Sequence, residues 1–130
     1  TVPFRQARHI DEAIDKFLKS GAESLIAIKK QDYPPWWMFR QENDRIRPAV
    51  EYKPGVNVFN LERQEFPNVY RPNGAIYLTW TESLKMNGRL VDPEDCAYYV
   101  MDELDSVDID TPMDFAVAEA LLALRASGQN

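Results

Sequence analysis

"HIDEAIDKFLKSGAESLIAIKK", His9 to Lys30, changes its period halfway along. The first half places Ile10, Ala13, Ile14, Phe17 and Leu18 at helical spacing, with Asp11 and Glu12 near the start and Gly21 as the stop. The second half, "SLIAIKK" from Ser24 to Lys30, reads as a short buried strand. A helix that passes to a strand across a short glycine-containing link is half of a βαβ unit. It implies an α/β fold with parallel pairing.

The rest of the chain supplies matching elements. "GAIYLTW" (Gly74–Trp80) and "CAYYVMD" (Cys96–Asp102) read as strands, and "TESLKMNG" reads as a short helix or turn ending at Gly88. The last element is a helix. Thr111 takes the N-cap, Pro112 the first helical position, and Asp114 follows three residues after the cap. Phe115, Ala118, Leu121, Leu122 and Arg125 then recur in helical order up to Gly128. The middle differs. Residues 32–73 hold six prolines (Pro34, Pro35, Pro48, Pro54, Pro67 and Pro72), which excludes a long helix. "WWMFR" and "IRPAV" flank "QEND", a hairpin with a polar turn. Trp36, Trp37, Phe39, Val58, Phe59 and Phe66 need cover, either within a satellite core or at an oligomerisation surface.

At 130 residues the chain is about one domain, with 45% hydrophobic residues to form a core. The net charge is −6 and the pI about 4.8, with no basic stripe, which argues against a nucleic-acid partner. Cys96 is the single cysteine, so no intrachain disulfide forms. It reads as a buried strand residue and not as a nucleophile. No apolar run approaches the ~20 residues of a membrane span, and no signal-peptide pattern opens the chain. The expectation is a cytoplasmic protein with no membrane partner. The start at Thr1 reads as the start of a piece of something longer. His9, the only histidine, reads as a helix-entry residue.

"DSVDIDTPMDF", Asp105 to Phe115, crowds four carboxylates ahead of the last helix. In an extended tripeptide Asp108 and Asp110 point to the same side, where they repel unless a cation lies between them. Oxygen ligands of this kind suit Mg²⁺, which takes one or two carboxylates plus substrate phosphates. The plainer reading leaves Asp105 and Asp108 as solvated turn residues, with Asp114 as the cap in either case. Arg63 and Arg71, with Gln64 and Asn73, form either a clamp for a carboxylate or a solvated edge balanced by Glu62 and Glu65.

Several stretches together resemble one family, the acylneuraminate cytidylyltransferases, also called CMP-sialic acid synthetases. "TVPFR" followed by "HIDEAI" is similar to that family's T-x-P-[LF]-R segment. "RQEFPNVYRPNGAIYL" resembles its R-Q-x-x-P-x-x-Y-x-x-N-G-A-I-Y segment, and "SVDIDTPMDFAVAE" its S-x-D-I-D-T-x-x-D-F-x-x-A-E ending. The resemblance implies a GT-A-like nucleotidyltransferase fold, with a mixed sheet and flanking helices. It implies transfer of CMP from CTP to a nonulosonic (sialic-type) acid with release of pyrophosphate. It makes Asp108 and Asp110 the Mg²⁺ ligands and Arg63 the arginine that takes the sugar carboxylate. Gln64, Asn73, Tyr77, Arg40 and Arg5 fall at further substrate-binding positions. Residues 32–72 correspond to a β-rich dimerisation arm, which brings Arg63 to the other subunit's site in a homodimer. The family's L-x-A-R-x-G-S-K-like loop has no counterpart here. The resemblance therefore makes residues 1–130 a partial domain without the CTP-binding half, inactive alone. The other reading is a non-catalytic module that dimerises and binds a sugar acid. Leu90 and Val91 stand where many sialic acid enzymes carry an aromatic pair, which leaves the exact sugar open.

Overall fold

Leu25 and Ala27 point one way along the strand at Ser24–Lys30 and are fully buried, as a period of two requires. This strand, β1, is the centre of a three-stranded sheet in a computed structural model that describes residues 1–128. The sheet order is β4 (Tyr70–Thr79), β1, β5 (Cys96–Val100). β1 and β5 are parallel, with Ser24 opposite Cys96 and Ile28 opposite Val100. At the end of β4, Thr79 Oγ1 donates to Glu23 O at 3.2 Å and Trp80 Nε1 to Ala22 O at 3.1 Å. The end of β4 therefore lies beside the start of β1. The two run antiparallel and the sheet is mixed. β4 begins four residues before the expected Gly74. It is an edge strand, where Pro72 does not break a ladder.

Helix α1 (Ala7–Ser20) ends at Gly21, whose φ of 71° is the left-handed conformation a C-cap favours. It packs on β5. The row His9, Ala13, Phe17 is buried, whereas Ile10, Ile14 and Leu18, read from sequence as the same apolar face, are exposed. The stripe is two rows wide and only one row meets the sheet. The core gathers Val2, Ala13, Phe17, Leu25, Ala27, Ala75, Ile76 and Met101. A short helix, α2 (Thr81–Asn87), follows β4, and α3 (Pro112–Ser127) closes the described chain. Of α3 only Ala118 is buried. Cys96, expected to be buried, is half-buried.

The chain divides into two units, one formed by Thr1–Lys29 with the chain from Pro72 onward, the other by Lys30–Arg71. The second unit carries the hairpin β2 (Phe39–Glu42) and β3 (Arg45–Pro48), antiparallel with Phe39 opposite Pro48. Asn43 turns the corner at φ 53°, which asparagine tolerates better than most residues. Several aromatics of this unit pack on one another, while Tyr33 and Phe59 stay exposed. The rings of Trp36 and Phe66 stack at 5.4 Å, Tyr52 packs edge-on to Trp36 at 4.9 Å, and Phe39 stacks on Phe59 at 5.4 Å. Trp37 Nε1 donates to Val58 O at 3.0 Å, so its polar edge is also satisfied. Among the described residues no helix is long and apolar enough to cross a membrane.

Candidate functional site

In the first unit the acidic stretch divides its carboxylates by task. Asp114 is the cap. Thr111 Oγ1 accepts from Asp114 N at 3.2 Å, and Asp114 Oδ2 accepts from Thr111 N at 2.8 Å. The Thr111 hydroxyl, and then its backbone N–H, hold the Asp114 carboxyl below the usual carboxylate range. Asp110 is exposed, and its backbone N–H donates to Asp114 Oδ2 at 3.2 Å. Among the described residues no hydrogen bond or ion pair engages the Asp110 carboxylate. Asp108 is half-buried; its Oδ1 accepts from Thr1 Oγ1 at 2.6 Å. Its Oδ2 lies 3.4 Å from where a Cβ on Gly74 would stand. Ile109, between the two acids, donates its N–H to Thr1 O at 2.9 Å.

Asp105 differs from the solvated-turn reading. It is buried, with Arg8, His9 and Arg125 around its carboxylate. These partners lie 97, 96 and 20 residues away in sequence, so local spacing carries no sign of them. His9 is accordingly more than a helix-entry residue: its ring is buried while Nδ1 accepts from Gln6 N at the helix start.

Three other expected residues belong to this unit. Arg5 Nη1 donates to Ala75 O at 2.5 Å. Asn73 is buried; its Nδ2 donates to Ser106 Oγ at 2.9 Å and its Oδ1 accepts from Ala75 N at 3.1 Å. Both side chains are engaged inside the fold, tying the N-terminal segment and the acidic loop to β4. Tyr77, also on β4, is exposed. Sequence reading missed Gly74 and Thr1 as neighbours of Asp108. The "NG" pair was the available sign for the first, because a glycine there leaves room for an approaching carboxylate.

In the second unit, Arg63 and Gln64 stand on a short helical turn, Arg63–Glu65, beside a cleft of about 410 Å³. Lys30, Asp32, Phe66 and Asn68 also line it. Arg63 Nη2 meets Asp32 Oδ1 at 2.5 Å, with both side chains about half exposed. Gln64 donates to Glu62. Two cations, Lys30 and Arg63, face one acid, Asp32, so this cleft is locally cationic on an acidic chain and can take a carboxylate. Arg40, on the hairpin, is exposed and does not line it.

The fold is thus an α/β unit with two carboxylates, Asp108 and Asp110, ahead of a capped helix, and a second unit with a cation-lined cleft. The chain matches one portion of N-acylneuraminate cytidylyltransferases and related proteins. It is 29% identical over 124 residues to N-acylneuraminate cytidylyltransferase B of Danio rerio, covering 92% of this chain and 27% of that protein. It is 27% identical over 123 residues to N-acylneuraminate cytidylyltransferase of Escherichia coli O18:K1:H7, covering 91% and 27%. It is 24% identical over 126 residues to CMP-N,N'-diacetyllegionaminic acid synthase of Legionella pneumophila, covering 95% and 51%. The chain spans between 27% and 51% of the length of these curated relatives. No protein-family model matches it.

Proposed function

We propose that this chain is part of a GT-A-like cytidylyltransferase that transfers CMP from CTP to a nonulosonic acid and releases pyrophosphate. The observation that carries the reading is the division of carboxylates before α3. Asp105 and Asp114 are engaged in the fold, Asp108 meets one hydroxyl, and Asp110 has a free carboxylate.

That donor set fits Mg²⁺. Among the described residues no group of three or more His, Cys, Asp or Glu side chains comes together, as a protein-built cage would need. Two carboxylates alone suit an ion that completes its shell with water and phosphate oxygens. Asp108 and Asp110 would hold it, and when bound it would neutralise charge on the phosphate oxygens. Arg63 takes the sugar carboxylate by a paired hydrogen bond, exchanging Asp32 for the ligand. Gln64 adds a polar contact in the same cleft, Tyr77 offers an exposed ring to the sugar, and Arg40 offers an exposed cation. Arg5 and Asn73 support the substrate surface from within, through Ala75 and Ser106. The subunits pair through the Lys30–Arg71 unit as a homodimer, and Arg63 serves the partner's site.

The test is pyrophosphate release from CTP, with Mg²⁺ and a panel of nonulosonic acids, by the full natural protein that carries this chain. Turnover is expected with at least one acid, and the 130-residue chain alone is expected to be silent. Asp110→Asn should cut the rate about 100-fold or more, as loss of a key charge-stabilising group does. An unchanged rate removes Asp110 from the metal. Binding of the acids without any turnover would favour a non-catalytic sugar-acid module.

A further inference from the structure

Three side chains from two helices of the first unit converge on one buried carboxylate. Asp105 retains 5% of its side-chain exposure. Arg8 Nη2, at the start of α1, donates to Oδ2 at 2.9 Å, and His9 Nε2 approaches the same oxygen at 3.1 Å. Arg125 Nη2, from the last turn of α3, donates to Oδ1 at 2.8 Å. His9 Nδ1 accepts the Gln6 N–H at 3.1 Å, so the ring proton sits on Nε2, facing Asp105. The Arg125 guanidinium also lies 4.4 Å over the Phe4 ring, which limits its swing. The next residue, Ser106, is buried and bonded to Asn73.

A buried acid with two guanidinium partners is a demanding arrangement, because each charge depends on the others. Its place in the chain gives it a consequence. Asp105 lies three residues before Asp108, at the start of the loop that carries Asp108 and Asp110. The loop is held at Ser106 by Asn73, at Ile109 by Thr1, and at its end by the Thr111–Asp114 cap. Among these four anchors Asp105 is the one held by ion pairs, and the one that draws on α1 and α3 together.

We propose that Asp105, clamped by Arg8, His9 and Arg125, is a positioning residue that sets the approach of Asp108 and Asp110 to their cation. This rests on the reading of those two acids as cation ligands. Asp105 does not touch the cation. It orients the backbone that delivers the ligands, and outer-shell groups of this kind govern affinity by about 10- to 100-fold.

The probe is Mn²⁺ with CTP, added to the full natural protein, with the protein-bound ion read by water-proton relaxation. Asp110→Asn is the reference and should abolish the bound signal. Arg125→Gln and Asp105→Asn should each weaken Mn²⁺ binding about tenfold, well below their melting temperatures and with unchanged circular dichroism. Arg125→Lys, which keeps the charge, should recover part of the loss. Should Asp105→Asn not fold, Arg8→Gln, at a half-exposed side chain, reads the same clamp with a smaller loss. Clamp variants that melt earlier yet bind Mn²⁺ as the parent does would overturn the proposal and leave Asp105 a stability residue. If Asp110→Asn itself leaves Mn²⁺ binding intact, the ligand assignment falls, and the positioning role falls with it.

Discussion

Gly74 holds a φ of +73° on β4, with Asp108 Oδ2 at 3.4 Å from the place of an absent Cβ. A side chain there is strained by the left-handed backbone, and its Cβ would stand in van der Waals contact with a carboxylate that is bonded to Thr1. Gly74→Ala should therefore lower stability by about 1–2 kcal/mol, read as a lower urea midpoint at unchanged slope. Tyr99 supplies the alkaline counterpart. Burial first, and then its hydrogen bond to Glu12, push its phenol from 10.0 up to about 12. The folded state favours the neutral phenol. Its contribution is complete below pH 10 and disappears as pH rises from 10 toward 12. Tyr99→Phe should flatten that part of the stability curve, measured by thermal unfolding across the interval. An unchanged alkaline limb would mean that neither burial nor the bond to Glu12 holds the phenol neutral in solution.

At the scale of elements, α3 depends on its first turn more than on its faces. Only Ala118 is buried, while Met113, Phe115, Val117, Leu122 and Leu124 are exposed, so the cap carries much of the helix's local stability. Thr111→Ala should cost about 1 kcal/mol at neutral pH. The Asp114 carboxyl is held low by Thr111, so part of that difference is present above pH 3.8 and is lost as pH falls below it. Urea unfolding of both proteins at neutral and acid pH measures the narrowing. This cap, the Gly21 stop and the hairpin around Asn43 were all legible in the sequence, because each is made by residues close together in the chain, the hairpin's outermost pair being Phe39 and Pro48. The parallel partner of β1 was legible as a type of pairing but not as β5, which lies about 70 residues on. The surroundings of Asp105 were not legible. A run of acids looks solvated until the fold brings Arg8, His9 and Arg125 to one of them. The exposed rows of α1 and α3 were hidden for the same reason. Periodicity reports that a face is apolar, not whether another element covers it.

At the scale of the molecule, the two groups of candidate residues lie in different units, Asp108 and Asp110 in one and Arg63 and Gln64 in the other. The second unit has exposed apolar side chains in Tyr33, Ile46 and Phe59, which suits the proposed homodimer. The proposal that Arg63 serves the partner's site has a consequence separate from whether a dimer forms. Asp110→Asn and Arg63→Ala should each be inactive as pure proteins. Unfolded together and refolded as an equal mixture, half of the dimers should combine the two. In each mixed dimer one site receives both an intact Asp110 and the partner's intact Arg63, and the other site receives neither. Under two-fold symmetry that leaves one live site in two, so the mixture should regain about a quarter of the parent rate. If Arg63 instead served its own subunit, every site in the mixed dimer would lack one residue or the other, and mixing would restore nothing. Pyrophosphate release by the refolded mixture, with sedimentation to verify dimers, separates the two arrangements. A silent mixture of well-formed dimers would confine Arg63 to its own chain.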